Sequence, residues 1–547
     1  MSIISKNRKP LQLFGIFRKR QAAPQAKGYS EAGASRVKKS LKGFRAASGS
    51  PREDIDWNNQ TLRQRGRILY MSTPIARSAI ATNRTNVIGM GLQLKAKIDA
   101  ETLGMTPEQA KAWQHIAEEE FGLWADKKRT CDATGVNTFY SMQQLAFVSW
   151  LTSGDAFVVI KQVKPTPTAP YSLRLHIVEA DRIRTPGKTG TVITDGIAEN
   201  GNRIYDGVEV DESGAIVAYY VANTYPSEVL APEAEQFVRV EAYGERTGLP
   251  NILQLMESER ADQYRGVSYL APVIEPLLQL RRYTDAELSA AAIEACFTGF
   301  VKTTASPADN PFNEVGWGNV GDTPINQQET TTSPNEYELG AGMINYMEPG
   351  EDIVFADPKR PAGGFDAFVT SVSTQIGAAL EIPKDLLLKA FNASYSASRA
   401  ALLEAWKAFQ MRRRWFVEDF CRPVYEIWLS EAIARGRISA PGFFSDPRIR
   451  RAYIGSEWIG PSQGMLDPTK EIEAEAKAIE HGFSTHEQST IRLNGGSWQD
   501  NIIQLAIEAQ LKKDAGLTQE PQSPSPEQPE KEEQEDEEDP PDNSGRT

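Results

Sequence analysis

This sequence has little of what most enzyme chemistry needs. Its four histidines, His115, His176, His481 and His486, stand apart from acids and cysteines at metal-ligand spacing. Only His481 and His486 are close, on either side of Gly482, and they read as ordinary helix-end histidines. The cysteines Cys131, Cys296 and Cys421 are few, odd in number and widely spaced, which argues against a disulfide framework or a zinc site and fits a reducing cytosol. Long apolar runs are missing as well. Glu294 interrupts the best one, around 290–301, well short of the roughly 18 residues of a membrane span, so a soluble protein is expected.

Nucleotide and nucleophile signatures are incomplete. Gly187-Lys188-Thr189 ends like a phosphate loop, but Arg182 stands where that loop needs its first glycine. Gly266-Val267-Ser268 is followed by Tyr269 and Leu270, not by the closing glycine of a nucleophile elbow. The acid groups Asp54 with Asp56, and Glu118 to Glu120, read as solvated faces. No catalytic, cofactor-binding or metal-binding residue is predicted, and no enzyme.

Charge is unevenly distributed. Residues 1–50 hold twelve Lys or Arg against Glu31 alone, a net of +11; residues 519–547 carry −9, and the body between them carries −15. A site-specific DNA reader presents a basic surface, because phosphate neutralisation supplies much of its affinity. This body repels DNA on average. The apolar patch Leu11–Phe17 runs into Arg18-Lys19-Arg20, not a small-residue cleavage site, so no secretory signal is expected. The basic arm reads as a disordered tail, with an internal role in contacting DNA or scaffold as the alternative, and the acidic Pro- and Glu-rich tail reads as disordered too.

A length of 547 residues favours two to four domains or one elongated, ring-forming subunit. Apolar residues recur at helical intervals from Trp57 to Val87, with Gly89 and Gly91 as the stop. Strand Leu92–Ile98 follows. Thr106-Pro107-Glu108-Gln109 is a capping-box helix start, with Trp113, Ile116, Glu120 and Trp124 along one side. A helix at Ser141–Leu151, strands at Ala156–Ile160 and Leu173–Val178, and a hairpin of Val208–Val210 with Ile216–Val221 across a four-residue turn complete a mixed α+β part.

Two long helical tracts, Leu270–Phe297 and Phe365–Leu380, flank a Gly-, Thr-, Asn- and Pro-rich stretch with short apolar pieces, Met343–Tyr346 and Ile353–Phe355. Such tracts suggest struts bearing a β-containing insertion. A second long helix is predicted at about Arg399–Arg435, kinked by Pro423 and stopped by Gly436, and helical segments at Pro468–His481 and Trp498–Leu511 close the chain.

Several phrases in fixed order carry a resemblance. They are Asn83-Arg84-Thr85-Asn86 leading to Val87-Ile88-Gly89; Ser153-Gly154-Asp155-Ala156-Phe157; Arg174–Ile183; and Tyr264-Arg265-Gly266-Val267-Ser268-Tyr269-Leu270-Ala271-Pro272. Asn392-Ala393-Ser394-Tyr395-Ser396-Ala397-Ser398-Arg399, Trp458-Ile459-Gly460, Leu466–Glu471 and Gly482–Thr485 follow. From Ile55 through Leu517 this ordered set resembles the lambda-type bacteriophage portal family of head-tail connectors.

The resemblance implies a non-enzymatic, elongated α+β subunit of wing, stem, clip and crown, with long helices and a β-containing clip. It implies a homo-oligomeric ring, expected to be a dodecamer, whose axial channel at the capsid vertex serves packaging and ejection of double-stranded DNA without sequence reading, and head-tail joining. Implied partners are the terminase large subunit, the major capsid and scaffold proteins and a head-completion or adaptor protein; no membrane and no cofactor are implied. The location would be the virion, after assembly in the host bacterial cytoplasm.

The corresponding map is a basic arm at 1–50, wing at 51–251, first stem helix region at 252–299, clip at 300–358, second stem helix at 359–388, channel loop at 389–398, long wing or crown helix at 399–450, C-terminal crown or wing region at 451–518 and acidic tail at 519–547. Arg281, Arg282 and Lys389 become candidates for occasional phosphate contact, with intersubunit ion pairing as the alternative. Asn392, Ser394, Tyr395 and Ser396 become candidates to line the channel, Tyr395 either pressing on DNA or packing on a neighbouring subunit. A lining of acids and small polar groups would let a polyanion slide. The competing readings are another phage capsid or scaffold protein, and a DNA-packaging enzyme.

Overall fold

The computed structural model describes residues 47–187, 195–228, 235–295, 299–301, 344–346, 364–391, 394–464 and 467–515, with short pieces between 34 and 44. Readings made for most of the basic arm, the acidic tail, Lys188-Thr189, Ile353–Phe355 and most of 300–358 fall outside those residues.

A π turn, Arg52–Asp56, leads into α1 (Trp57–Ser72) and α2 (Pro74–Val87), the latter opening with proline at its first turn, where no intrahelical N–H is needed. β1 (Gln93–Ala96) and the short α3 (Ala100–Leu103) follow. Helix α4 (Pro107–Ala125) starts on the predicted capping box: Gln109 N donates to Thr106 Oγ1 at 3.3 Å and Thr106 N to Gln109 Oε1 at 2.9 Å. Its buried stripe is Ala110, Trp113, Ala117, Phe121 and Trp124, which keeps helical spacing; Ile116, placed on that side by the sequence, faces solvent.

After α5 (Lys128–Cys131), α6 (Phe139–Ser153) is apolar nearly all round and correspondingly buried. Gln143 clamps the start of β1 by accepting from Leu92 N at 2.6 Å and donating to Leu92 O at 3.1 Å. The chain then builds β2 (Asp155–Gln162), β3 (Leu173–Glu179), β4 (Asp195–Ile197), β5 (Arg203–Tyr205), β6 (Val208–Val210), β7 (Ile216–Ala222), β8 (Phe237–Glu241) and β9 (Ile252–Met256). These form an antiparallel sheet of order β3-β2-β9 and a five-stranded meander, β4 to β8. Phe157, Val178, Val208, Tyr219 and Ile252 share a small core.

The predicted hairpin is β6–β7, but it carries a register shift at Glu209/Val210 and a five-residue connection. Asp211 explains the wider turn, because its carboxylate accepts from Ser213 N and Ala215 N at 2.8 and 2.9 Å.

The two struts are α7 (Ile274–Ala295) and, after a short parallel pair of β10 (Gly299–Val301) with β11 (Ile344–Tyr346), α8 (Phe365–Ala379). Next come α9 (Lys384–Leu388) and α10 (Tyr395–Phe416), which starts four residues before the predicted Arg399 because Ser394 adopts an extended N-cap and Ser398 N donates to Ser394 O. Pro423 does not end the long helix. The helix runs on through it: a π turn, Val417–Cys421, leads directly into α11 (Arg422–Ala434), whose second residue is the proline, so the wider i→i+5 pattern falls where the proline lacks its N–H.

The chain ends through α12 (Pro447–Tyr453), β12 (Ser456–Ile459), α13 (Pro468–Glu480), α14 (His486–Asn494) and α15 (Trp498–Asp514). Helix α14 was not read from the sequence; Thr485 caps it by accepting from Gln488 N. His481 sits at the end of α13 and His486 at the start of α14, stacked on Trp498.

Antiparallel pairing of β1 with β12 brings distant parts of the chain together, Leu94 opposite Trp458. The main core spans α2, α4, α6, α10 and α11 around Phe121, Trp124, Phe139, Phe420, Tyr425 and Trp428. Cys131 and Cys421 are free and buried there, and burial pushes the Cys131 thiol up to about 12.

Candidate functional site

The struts form a helical hairpin. At its base, Tyr269 Oη donates to Leu380 O, which ties the residue five before α7 to the residue just after α8. Fourteen residues out from Tyr269, Tyr283 stacks on Phe365 with ring centroids 5.6 Å apart and meets Phe368 at 4.7 Å. Phe365 opens α8 fifteen residues back from Leu380, so the outgoing and returning segments lie side by side as far as this contact. The base is buried through Val273, Leu277, Leu280, Ile376 and Leu380, whereas Leu288 and Phe368 farther out are exposed.

Buried arginines tie the surrounding segments together, one of them at this base. Arg412, buried in α10, donates to Asn83 Oδ1 at 3.1 Å and to Glu381 Oε2 at 2.5 Å, and lies over the Tyr269 ring at 4.9 Å. Asn83 in turn donates to Tyr269 Oη at 3.3 Å, so α2, α10 and both ends of the hairpin meet at one point. Arg413 caps the end of α2, donating to Val87 O at 2.9 Å, Asn86 O at 2.7 Å and Pro461 O at 2.9 Å. With no carboxylate among those partners, burial pulls its pKa down to about 10.

Arg265 is fully buried where the chain enters the hairpin. Its Nε and Nη2 donate to the two oxygens of Asp155 at 2.6 and 3.2 Å, and its Nη1 lies 2.8 Å from Asp206 Oδ2, which also takes Arg63 Nη2 at 2.8 Å. Backbone carbonyls of Ile183 and Ala180 accept the remaining N–H groups at 2.9 and 3.0 Å. Such a fork needs full satisfaction, because a buried unpaired charge is costly. Burial pushes the Asp155 carboxyl up, but Arg265 and Arg63 outweigh it and hold the group below the usual carboxylate range.

Gly154 and Gly266 let these segments touch: a Cβ on Gly266 would stand 1.9 Å from Gly154 O. The same field reaches Asp56, read from sequence as solvated. It is 5% exposed, because the π turn Arg52–Asp56 carries it among Arg63, Asp206 and Arg265; burial first, then the Asp206 charge, push it up to about 7. Glu118 and Glu120 are engaged as well, Glu118 by Ala96 N at 2.8 Å and Glu120 by Arg437 and Tyr171 at 2.7 Å.

The residues proposed from sequence are spread along the hairpin and its exit. Arg281 and Arg282 lie exposed on α7, Arg281 3.9 Å from Asp285. Lys389 ends α9 with φ +57° and turns inward, Nζ donating to Thr82 Oγ1 at 2.7 Å, and burial lowers its pKa. Ser78 Oγ donates to Leu387 O at 2.6 Å beside it, so α2 holds the start of the segment 389–398. Ser394 is the exposed N-cap of α10 and Tyr395 and Ser396 are its first residues, while Asn392 lies outside the described residues. Among the described residues no group of three or more His, Cys, Asp or Glu could hold a metal ion, and no helix is long and apolar enough to cross a membrane.

Sequence reasoning missed Arg63, Asp206, Arg412 and Arg413 outright. Asp155, Arg265 and Asn83 were quoted only within phrases of the resemblance, although an arginine or aspartate fixed beside a glycine in an apolar setting signals a buried pair.

Comparison with known proteins decides the family: the description "Phage portal protein, lambda family" matches residues 38–413, more than two thirds of the chain. The chain belongs to the lambda family of phage portal proteins. Portal protein B of Escherichia phage lambda is 23% identical over 466 residues, covering 82% of this chain and 83% of that one. The portal protein of Escherichia phage N15 is 23% identical over 474 residues, covering 82% and 84%. Among solved structures, the neck of a native GTA particle matches at 13% identity and TM-score 0.36 over 80% of this chain and 93% of that one, and the neck of an empty GTA particle at 13%, 0.37, 80% and 94%. Portal proteins are structural, not enzymatic, and membership makes this chain a component of the phage particle.

Proposed function

We propose that copies of this portal chain close into a dodecameric ring at the capsid vertex, with the α7–α8 hairpin as the stem wall of an axial channel for double-stranded DNA. The observation that carries the reading is the hairpin itself, zipped by Tyr283 and rooted in the body by Tyr269, Arg412 and Asn83. A strut held so firmly at one end and solvated farther out gains its remaining burial from neighbouring copies.

Charge supports the channel role. Helix α7 carries Glu275, Asp285, Glu287 and Glu294 against Arg281 and Arg282, and α8 carries Asp366 without a base. A wall with this surplus of acid avoids trapping a polyanion, and Arg281 and Arg282 supply brief phosphate contacts. The segment 389–398, with Lys389, Asn392, Ser394, Tyr395 and Ser396, narrows the channel; 51–251 is the wing, 300–358 the clip, and 399–518 the outer wing and crown. The terminase large subunit, major capsid and scaffold proteins and a head-completion protein are its partners, met during assembly in the host cytoplasm.

Electron microscopy with native mass measurement of the purified protein tests the reading. Closed rings with a central hole are expected; a chain that stays monomeric at every concentration, or copies distributed over the whole shell of the particle, would end it.

A further inference from the structure

A groove runs between α10, β12 and α14, away from the hairpin. Arg413, Arg414, Arg422 and Arg492 line it, beside Trp406 and Trp458. Acids nearby only partly balance these cations. Glu418 is shared by Arg414 at 3.0 Å and Arg422 at 3.8 Å, Arg492 pairs with Glu475, and Glu457 is taken by Lys97. Five cations thus meet three carboxylates, and Arg413 is held by backbone carbonyls.

Two groups lining the groove are unsatisfied. Trp458 Nε1 and Ser456 Oγ, each on a residue 8% exposed, have no hydrogen-bond partner among the described residues. The groove therefore presents the partly exposed Trp406 and surplus positive charge together, with Trp458 buried beneath its floor against Phe121 and Phe139. That is the chemistry of a site for an acidic, proline-containing segment, since proline-rich chain docks in aromatic-lined grooves and carboxylates pair with arginine.

The chain carries one such segment itself. Residues 519–547 hold eleven Asp or Glu against Lys531 and Arg546, with Pro521, Pro524, Pro526 and Pro529 interleaved among the first of them. Connectivity permits the return. Helix α14 supplies Gln488, Ile491 and Arg492 to the groove and packs against α15, which ends at Asp514. Helix α15 is about 25 Å long, and the residues beyond it reach roughly 100 Å when extended.

We propose that the acidic tail of this chain docks in the groove between α10, β12 and α14, its prolines against Trp406 and its carboxylates on Arg414, Arg422 and Arg492. Docking covers a cationic face on a protein whose task is to let DNA pass. It does not depend on ring closure.

The test uses the full chain and a chain ending at Thr518, with a fluorescein-labelled peptide of residues 519–547 as probe and anisotropy as readout. Saturable binding to the truncated chain is expected, at least tenfold weaker binding to the full chain whose own tail fills the groove, and about tenfold weakening by Arg414→Glu with Arg492→Glu in the truncated chain. Both arginine side chains are more than half exposed, so this variant keeps the fold, which an unchanged melting temperature verifies. Absence of binding, equal binding to full and truncated chains, or indifference to the double charge reversal overturns the proposal.

Discussion

Asp56 and Asp155 show how one cluster gives two carboxyls opposite fates. Asp155 faces Arg265 in a bidentate pair and stays ionised; removing one partner of such a buried pair typically costs about 3–5 kcal/mol, because the other charge is left uncompensated. Asp56 is buried in the same field without that pairing, and its carboxyl is pushed up to about 7. The folded state therefore binds a proton that the unfolded chain releases near pH 4, and stability falls as pH rises through the window from about 4 to 7. The slope is about 1.4 kcal/mol per pH unit, so Asp56→Asn, which cannot ionise, should gain about 2 kcal/mol on the parent chain between pH 5 and pH 7. Denaturation midpoints of both proteins at those two pH values measure this, and parallel pH dependence would show that Asp56 is not held neutral.

At the scale of elements, the hairpin is locked at its base and only lightly zipped beyond it. An aromatic pair contributes about 0.5–1.5 kcal/mol beyond its burial, so Tyr283→Ala should loosen the outer half of α8 while Ile376 and Leu380 stay packed. Hydrogen exchange should rise several-fold at residues 365–372 and hold steady at 374–380; a uniform rise would mean that the two halves unfold as one. This division was half legible in the sequence. Long periodic tracts, the Thr106 capping box and the β6–β7 hairpin could be read because local periodicity and turn chemistry determine them. Helix α14 could not, since its nine residues carry a weak stripe and a polar composition. Nor could the Arg412–Asn83–Tyr269 junction, whose members come from three distant segments that meet only after folding. At Pro423 the sequence shows the missing N–H, from which a kink is expected, but not the π turn with which the backbone answers it.

For the whole molecule, the proposed channel sets the acidic body and the exposed α7 arginines in opposite directions toward a polyanion. Each phosphate neutralised releases counterions and adds about 0.9 to the slope of log affinity against log salt. If Arg281 and Arg282 touch the passing duplex, Arg281→Gln with Arg282→Gln should leave ring formation unchanged, because both side chains are exposed on α7, and flatten the salt dependence of DNA retention by the assembled ring. Filter binding between 50 and 200 mM salt, on rings verified by microscopy, should give a slope lower by about one for every arginine–phosphate pairing that the substitutions remove. An unchanged slope with intact rings would assign these arginines to ion pairing between neighbouring copies, and rings that fall apart would assign them there more directly. Either way the acidic surplus of the hairpin outweighs them, since two arginines cannot offset the five acids that α7 and α8 carry between them.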